Sequence, residues 1–340
     1  MNDLLENSVV DKENETEIVY LILAHTAPRL LARMVNALDS SYVRFFIHVD
    51  AKADVNDFTD CIGNKKNVCF LENRVDVFWG GYSMVEATLR LMEEATRDSP
   101  EFKYGVLLSG VHYPIKSNGY IREFFRNSSD EYLQFARTSE VGCKDKTNAF
   151  CLYDYKPFNP RTVFSRNKWL NRIAKIPGKC VDILFRNIVT TVYRRRLPGG
   201  IVPYTGTNWW ALTNSCIRYI QDYIKKKPCY IDFFRLCAHP DEVFFHSIVC
   251  NANFKLVNAD ISLASLRGEV ARNGRFSELR GLSLTYTKSS ITGSPRVLVE
   301  EDFEEIRNEH NFFSYPQLYA RKIDPDTSAG LLRLIDSFRQ

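Results

Sequence analysis

Several familiar arrangements are missing from this chain. It has no G-x-x-x-x-G-K-[ST] loop, no G-x-G-x-x-G after its first apolar run, no G-x-S-x-G elbow and no H-E-x-x-H. That removes the common signatures of P-loop, dinucleotide, α/β-hydrolase and zincin chemistry. The nine cysteines contain no C-x-x-C pair and their number is odd. This argues for reduced thiols in a reducing compartment over a zinc site or a disulfide framework. No apolar run approaches the ~20 residues that span a bilayer, and the polar N-terminus is not a signal peptide. Charge of one sign is also scarce. A net charge of +4 over 340 residues does not by itself imply nucleic-acid binding. The expectation is a cytoplasmic protein without a nucleic-acid partner. A Golgi-lumenal domain separated from its anchor is the alternative. Basic runs at Arg194-Arg195-Arg196 and Lys225-Lys226-Lys227 read as solvated faces, or as a place to meet phosphates or anionic lipid.

What is present is a globular pattern, with 45% hydrophobic residues, 23 Phe and 17 Tyr. After a polar tail at 1–16, Ile18–Ala24 is a short continuous apolar run, the mark of a strand buried on both faces. Pro28 opens a helix to Leu38. Strands follow at Val43–Asp50 and Val68–Leu71, a helix at Met84–Arg97, a strand at Tyr104–Gly110 and a helix at Gly119–Arg126. This alternation predicts an α/β fold with a mostly parallel sheet flanked by helices. Ligands of such sheets bind beyond the carboxyl ends of the strands, which makes His25, His48, Asp50 and Ser109 candidates by position. Ordinary strand termination is the competing reading of each.

Residues 131–200 are irregular and rich in Arg, Lys, Asn and aromatics, with a helix at Cys180–Arg194. They read as an excursion from a single domain spanning 17–340, on the acceptor side. Gly206–Leu212 reads as a strand. Its Trp209 and Trp210 are candidates for stacking on a sugar, although adjacent strand residues point to opposite faces and only one can line a given pocket. Asn214–Lys226 follows as a helix. Pro240 begins another, placing Asp241 and Glu242 in its first turn, where the helix dipole favours acids. Those two acids are either dipole complements or a general base held at a cleft. Phe254–Ala259 reads as a strand, 264–280 as a loop, and Ala329–Phe338 as an amphipathic helix available to a partner. Three acid groupings are candidates for a divalent cation: Asp50 with Asp54, Asp76, and Asp324-Pro325-Asp326. The last is the only D-x-D, and its proline makes a solvated turn the simpler reading. Without a metal, a departing diphosphate needs fixed cations. Arg296 and Lys322 both end short apolar segments late in the chain.

Six segments carry a resemblance. They are Phe46–Lys52, Trp79–Ala87, Leu108–Ile115, Gly206–Leu212, Pro240–Phe245 and Leu318–Lys322. In this order they resemble the core-2/I-branching glycosyltransferase family, which includes the peptide O-xylosyltransferases, and the absence of an anchor points to a bacterial-type member. The resemblance implies a glycosyltransferase-A fold of the variant that lacks a D-x-D metal site. It implies inverting, metal-independent transfer from a UDP-sugar to a glycan hydroxyl, with N-acetylglucosamine in β-1,6 linkage the typical case. UDP-xylose or UDP-glucuronate, or a non-catalytic glycan- or nucleotide-binding module, are the alternatives. It places the general base on Glu242 and the diphosphate cations on Lys322 and Arg296. Asp50, with His25, His48, Ser109 and Gly110, falls on the donor side, and Trp209, Trp210 and Asp241 on the acceptor side. No cofactor is implied. The chain departs from the family pattern at Val111-His112, where an Asp usually follows Ser-Gly. It also has no acceptor-side Trp just before the Ser294-Pro295-Arg296 segment.

Overall fold

The structure, a computed structural model, describes residues 16–339 except 144, 166, 186–188, 190–191, 194, 258–282, 289–294 and 309–315. The polar tail to residue 15, Arg194 and the loop expected at 264–280 therefore lie outside the described residues. At the centre is a five-stranded sheet, β3-β2-β1-β4-β8, formed by β1 (Ile18–Ala24), β2 (Val43–Val49), β3 (Val68–Phe70), β4 (Tyr104–Ser109) and β8 (Ala211–Thr213). β1 pairs in parallel with β2 and β4, and β2 with β3; only the edge strand β8 runs antiparallel. Short pairs β5 (Tyr113–Pro114), β6 (Ala136–Arg137), β7 (Tyr204–Thr205), β9 (Thr285–Tyr286) and β10 (Tyr319–Ala320) extend the rim.

The continuous apolar runs follow from burial on both faces. Along β1, Ile18, Tyr20 and Ile22 join one core cluster, while Val19 and Leu21 join the other. The first cluster is covered by helix Pro28–Leu38 and helix Asn118–Arg126, whose buried residues include Leu31, Val35, Ile121 and Phe125. Ala329–Arg339 belongs to it too, burying Leu331, Leu332 and Ile335. That last helix, expected to be available to a partner, is thus committed to the protein's own core. Arg33 and Tyr113 fix it further through Asp336, at 2.7 and 2.6 Å. The opposite cluster is covered by helices Ser83–Asp98, Asn214–Lys226 and Phe244–Cys250. All nine cysteines are free.

Four local expectations are corrected. The strand expected over Gly206–Leu212 is irregular until Ala211. The strand expected at Phe254–Ala259 is represented among its described residues by a single bridge between Glu131 and Leu256. The helix expected from Cys180 begins earlier, at Ile176, and a separate helix Lys168–Ala174 precedes it. The excursion also starts later than 131: Glu131 and Tyr132 bridge to Leu256 and Ala211, and buried Glu131 accepts from the Thr213 amide and hydroxyl at 2.8 and 2.6 Å. The excursion proper begins past β6.

Candidate active site

The first wall of the site is the row of carboxyl ends of β1, β2 and β4. Gly110 belongs there because the chain passes close to β1: its amide donates to the Leu23 carbonyl at 2.9 Å, and a Cβ would sit 3.3 Å from that of Ala24. Asp50 leaves β2 nearly buried, accepts from the Lys52 amide at 2.9 Å and pairs with the Lys52 ammonium at 3.0 Å. The same ammonium pairs with Asp76. Asp54 caps the helix after it through the Asn56 amide at 2.9 Å. The D-x-D at Asp324 and Asp326 is a turn in which Asp324 accepts from the amides of Asp326 and Thr327. Among the described residues no three His, Cys, Asp or Glu side chains gather as a metal site.

The strand-end candidates divide by environment. His25 is exposed at the mouth; loss of hydration and the Lys322, Lys52 and Arg321 cations lower its pKa, with Asp50 opposing, so these groups share one rim. His48 is turned inward. Its Nε2 accepts from the Val75 amide at 2.8 Å, and burial pulls its pKa down to about 4, which makes it a neutral strut. Ser109 is tied to His112, whose Nδ1 accepts from the Ser109 amide at 2.9 Å and lies 2.8 Å from its hydroxyl. His112 is fully buried and edge-on to Trp209 at 4.6 Å.

The second wall carries the acids, and here the geometry differs from the helix expected at Pro240. Pro240–Glu242 is one 3-10 turn, Val243 breaks it at φ −130°, and the α-helix begins at Phe244. His239 enters the turn in the left-handed region at φ 50°. Its amide donates to the Gly80 carbonyl at 2.8 Å, and its ring lies edge-on to Trp79 at 4.6 Å. Gly80 has φ 74°, and a Cβ on it would meet the His239 ring at 3.0 Å, so glycine is required twice over. The Trp79-Gly80-Gly81 motif is therefore the seat of the acid turn. Gly206 supports it from the other side by donating to the Glu242 carbonyl at 3.0 Å. A Cβ there would lie 1.7 Å from the Gln134 carbonyl oxygen, which excludes any side chain.

This frame separates two adjacent carboxylates. Asp241 is 5% exposed, its Oδ1 has no hydrogen-bond partner, and burial with the Glu242 charge beside it raises its pKa to about 7. Asp241, expected on the acceptor side, is thus a buried side chain. The Glu242 side chain is 36% exposed and takes an ion pair from Lys146, whose ammonium also reaches the Thr205 hydroxyl at 3.1 Å. The two tryptophans separate in the same way. Trp210 is core, tilted against Phe245 at 5.8 Å, while Trp209 sits at the rim between His112 and Arg321.

The late cations also part company. Arg296, expected at the donor phosphates, instead grips buried Asp302 with both terminal nitrogens at 2.8 and 2.5 Å, beside Lys288. Arg321, which the sequence did not single out, stacks over Trp209 at 4.8 Å. Its Nε has no partner, and burial and the nearby Arg161 lower its pKa to about 10. Arg161 in turn lies 3.7 Å over the ring of Trp79. Among the described residues no carboxylate pairs with Arg161, Arg321 or Lys322. Arg161 and Lys322 are exposed, and of the three only Arg321 is largely withdrawn from water. Such a guanidinium on an aromatic face binds an oxyanion well, because water competes little for it. The buried Asn208 amide and Thr207 hydroxyl, also without partners, add hydrogen-bonding capacity next to Trp209 in sequence.

Comparison with known proteins places the chain in a family. The family model of the Core-2/I-Branching enzyme matches residues 18–307, and the chain belongs to that family. It is 23% identical over 330 residues to "Xylosyltransferase 2" of Mus musculus, covering 94% of this chain and 33% of that protein. It is 24% identical over 251 residues to "Xylosyltransferase 1" of Rattus norvegicus, covering 70% of this chain and 26% of that protein. The chain therefore spans about a third of the length of the curated relatives it matches. The mixed, mostly parallel sheet between helices is consistent with a glycosyltransferase-A-like fold.

Proposed function

We propose that this chain is an inverting glycosyltransferase that moves a sugar, N-acetylglucosamine in β-1,6 linkage, from a UDP-sugar to a glycan hydroxyl. The observation that carries this reading is the division of the acid pair. Of two adjacent carboxylates only Glu242 faces solvent, and it is fixed through its backbone by Gly206 and through its side chain by Lys146. In this reading Glu242 takes the proton of the acceptor hydroxyl, whose oxygen attacks the anomeric carbon. The bond pair to the old glycosidic oxygen leaves with UDP. Arg321 and Lys322, with Arg161 beside them, receive the charge on the diphosphate, so no metal is required. Asp50, His25, Ser109 and Gly110 line the nucleoside end, and Trp209 offers a stacking face at the reacting sugars.

Glu242→Gln tests the reading: turnover falls by about 10²–10⁴-fold, while calorimetry shows UDP binding unchanged. Turnover near wild type would remove Glu242 from the role. Arg321→Ala weakens UDP binding more than Arg296→Ala, and activity survives EDTA. A second reading takes UDP-xylose as donor, after the name xylosyltransferase that the relatives carry, and a thermal-shift panel of UDP-sugars separates the two.

A further inference from the structure

We propose that the helices Lys168–Ala174 and Ile176–Leu184 form a docking face for an anionic lipid bilayer. The first of these helices buries none of its residues, and the second buries only Gly178. Their apolar side chains are nevertheless large. Trp169 and Ile173 in the first are 67% and 44% exposed, and Ile176 and Ile183 in the second are 54% and 57% exposed. Eleven of the sixteen large apolar side chains exposed among the described residues fall between Tyr155 and Tyr193. Exposed apolar surface concentrated in this way marks an interaction site.

The arrangement along each helix selects the partner. Trp169 and Ile173 stand four residues apart, and Ile176 and Ile183 seven apart, so each pair lies on one stripe. Lys168 with Arg172, and Lys175 with Lys179, repeat the four-residue spacing one position earlier and put a row of cations beside each apolar stripe. The only acid within the two helices is Asp182. Apolar and aromatic stripes flanked by Lys and Arg match the layered chemistry of an anionic bilayer surface, where the ring and alkyl groups enter below the headgroups and the cations meet phosphate. Helices of seven and nine residues are too short to persist on intrinsic propensity, so a face that the core does not cover gains its support from outside. No helix among the described residues is long and apolar enough to cross a membrane, so the contact is peripheral.

The excursion is built to carry such a face. Asp154 anchors its base by accepting from the Tyr82 and Ser83 amides at 2.7 and 3.0 Å. Arg195 closes its far end on the Ala149 and Leu236 carbonyls at 2.9 and 2.8 Å, which corrects the reading of that residue as a solvated charge. Gly178 lies against the Pro157 carbonyl, where a Cβ would come within 2.1 Å, and so holds the second helix to the base.

The test uses the full chain in co-sedimentation with vesicles of phosphatidylcholine, alone or mixed with phosphatidylglycerol. Binding is expected to the mixed vesicles, at least roughly tenfold above the neutral ones, and to decline with added salt. Trp169→Ser/Ile173→Ser and Lys168→Glu/Arg172→Glu should each lower it roughly tenfold, with thermal stability and turnover of a soluble acceptor unchanged. Quenching of tryptophan emission by brominated lipid should disappear in Trp169→Ser. Three results would overturn the proposal: no vesicle binding at low salt, equal binding to both vesicle types, or a concentration-dependent dimer that Trp169→Ser dissolves. The dimer would make the face a contact between copies.

Discussion

Helix Pro28–Leu38 and helix Lys168–Ala174 use similar residues to opposite ends. The first sets Leu30, Leu31, Met34 and Val35 against the sheet, each no more than 2% exposed. The second carries Trp169, Leu170 and Ile173 and buries nothing. Composition does not distinguish them; what each meets in three dimensions does. The sheet with its two layers holds the strand ends rigid, while the excursion brings Arg161 and Lys146 to the same cleft from a segment with little core of its own. A segment with a large core and a segment with little core thus each supply side chains to the candidate site, as expected where loops carry function on a packed scaffold.

The contrast is broken most severely in the sheet layers. Leu31→Ala removes a fully buried side chain and should destabilise the protein by about 2–5 kcal/mol, read by denaturant unfolding. The next effect is a pH dependence with two opposed parts. Buried His48 has a folded pKa of about 4 against an ordinary 6.5, so the unfolded chain binds the extra proton. Its contribution is full above pH 6.5 and is lost as pH falls from there to about 4, on the order of 3 kcal/mol. Asp241 has the reverse sign. Its folded pKa of about 7 lies above the ordinary 3.8, so stability falls as pH rises between those values. Unfolding midpoints against pH for the wild type, His48→Gln and Asp241→Asn check both signs. His48→Gln flattens the acid limb, and Asp241→Asn flattens the opposing rise.

How much of this was legible depended on burial. β1, β2 and β4 were readable because strands buried on both faces are continuously apolar, and the helices beside them because one face repeats at helical spacing. Trp209 and Trp210 do separate, one to the rim and one to the core, although the strand on which their alternation was argued begins only at Ala211. The turn at Pro240 was misread because Pro followed by two acids begins an α-helix and a 3-10 turn equally well. What the local sequence does not reveal is the pair of distant partners that hold the turn: His239 donates to the Gly80 carbonyl, and Gly206 donates to the Glu242 carbonyl. Arg321 was passed over in favour of Lys322, because nothing in the local sequence shows that Arg321 stacks over Trp209, more than a hundred residues earlier. Arg296 looked available because its partner Asp302 reaches it only through a turn. Lys146 and Arg161 left no signal, since their segment has neither period nor cap pattern that points toward the cleft.

A smaller effect is expected where the two regions join. Asp154 accepts from the amides of Tyr82 and Ser83 and from the Ser83 hydroxyl, and so acts as a remote cap for the helix that opens there. Asp154→Ala leaves those amides without their acceptor and should cost about 1–2 kcal/mol. Limited proteolysis distinguishes a join from a simple cap. If Asp154 ties the excursion down, cleavage between Tyr155 and Arg196 accelerates in the variant more than cleavage elsewhere; uniform acceleration reduces the residue to a cap.

The smallest expected effect sharpens the comparison most. Leu170 is 49% exposed on a helix that buries none of its residues. Leu170→Ala should therefore change the unfolding free energy by less than about 0.5 kcal/mol, against several for the same substitution at Leu31. Any loss that did appear would have to come from helix propensity, and alanine is the better helix former. A loss in the range found at Leu31 would mean that Leu170 is covered in solution by the chain itself or by a second copy, and the two helices would then be ordinary core elements seen without their cover.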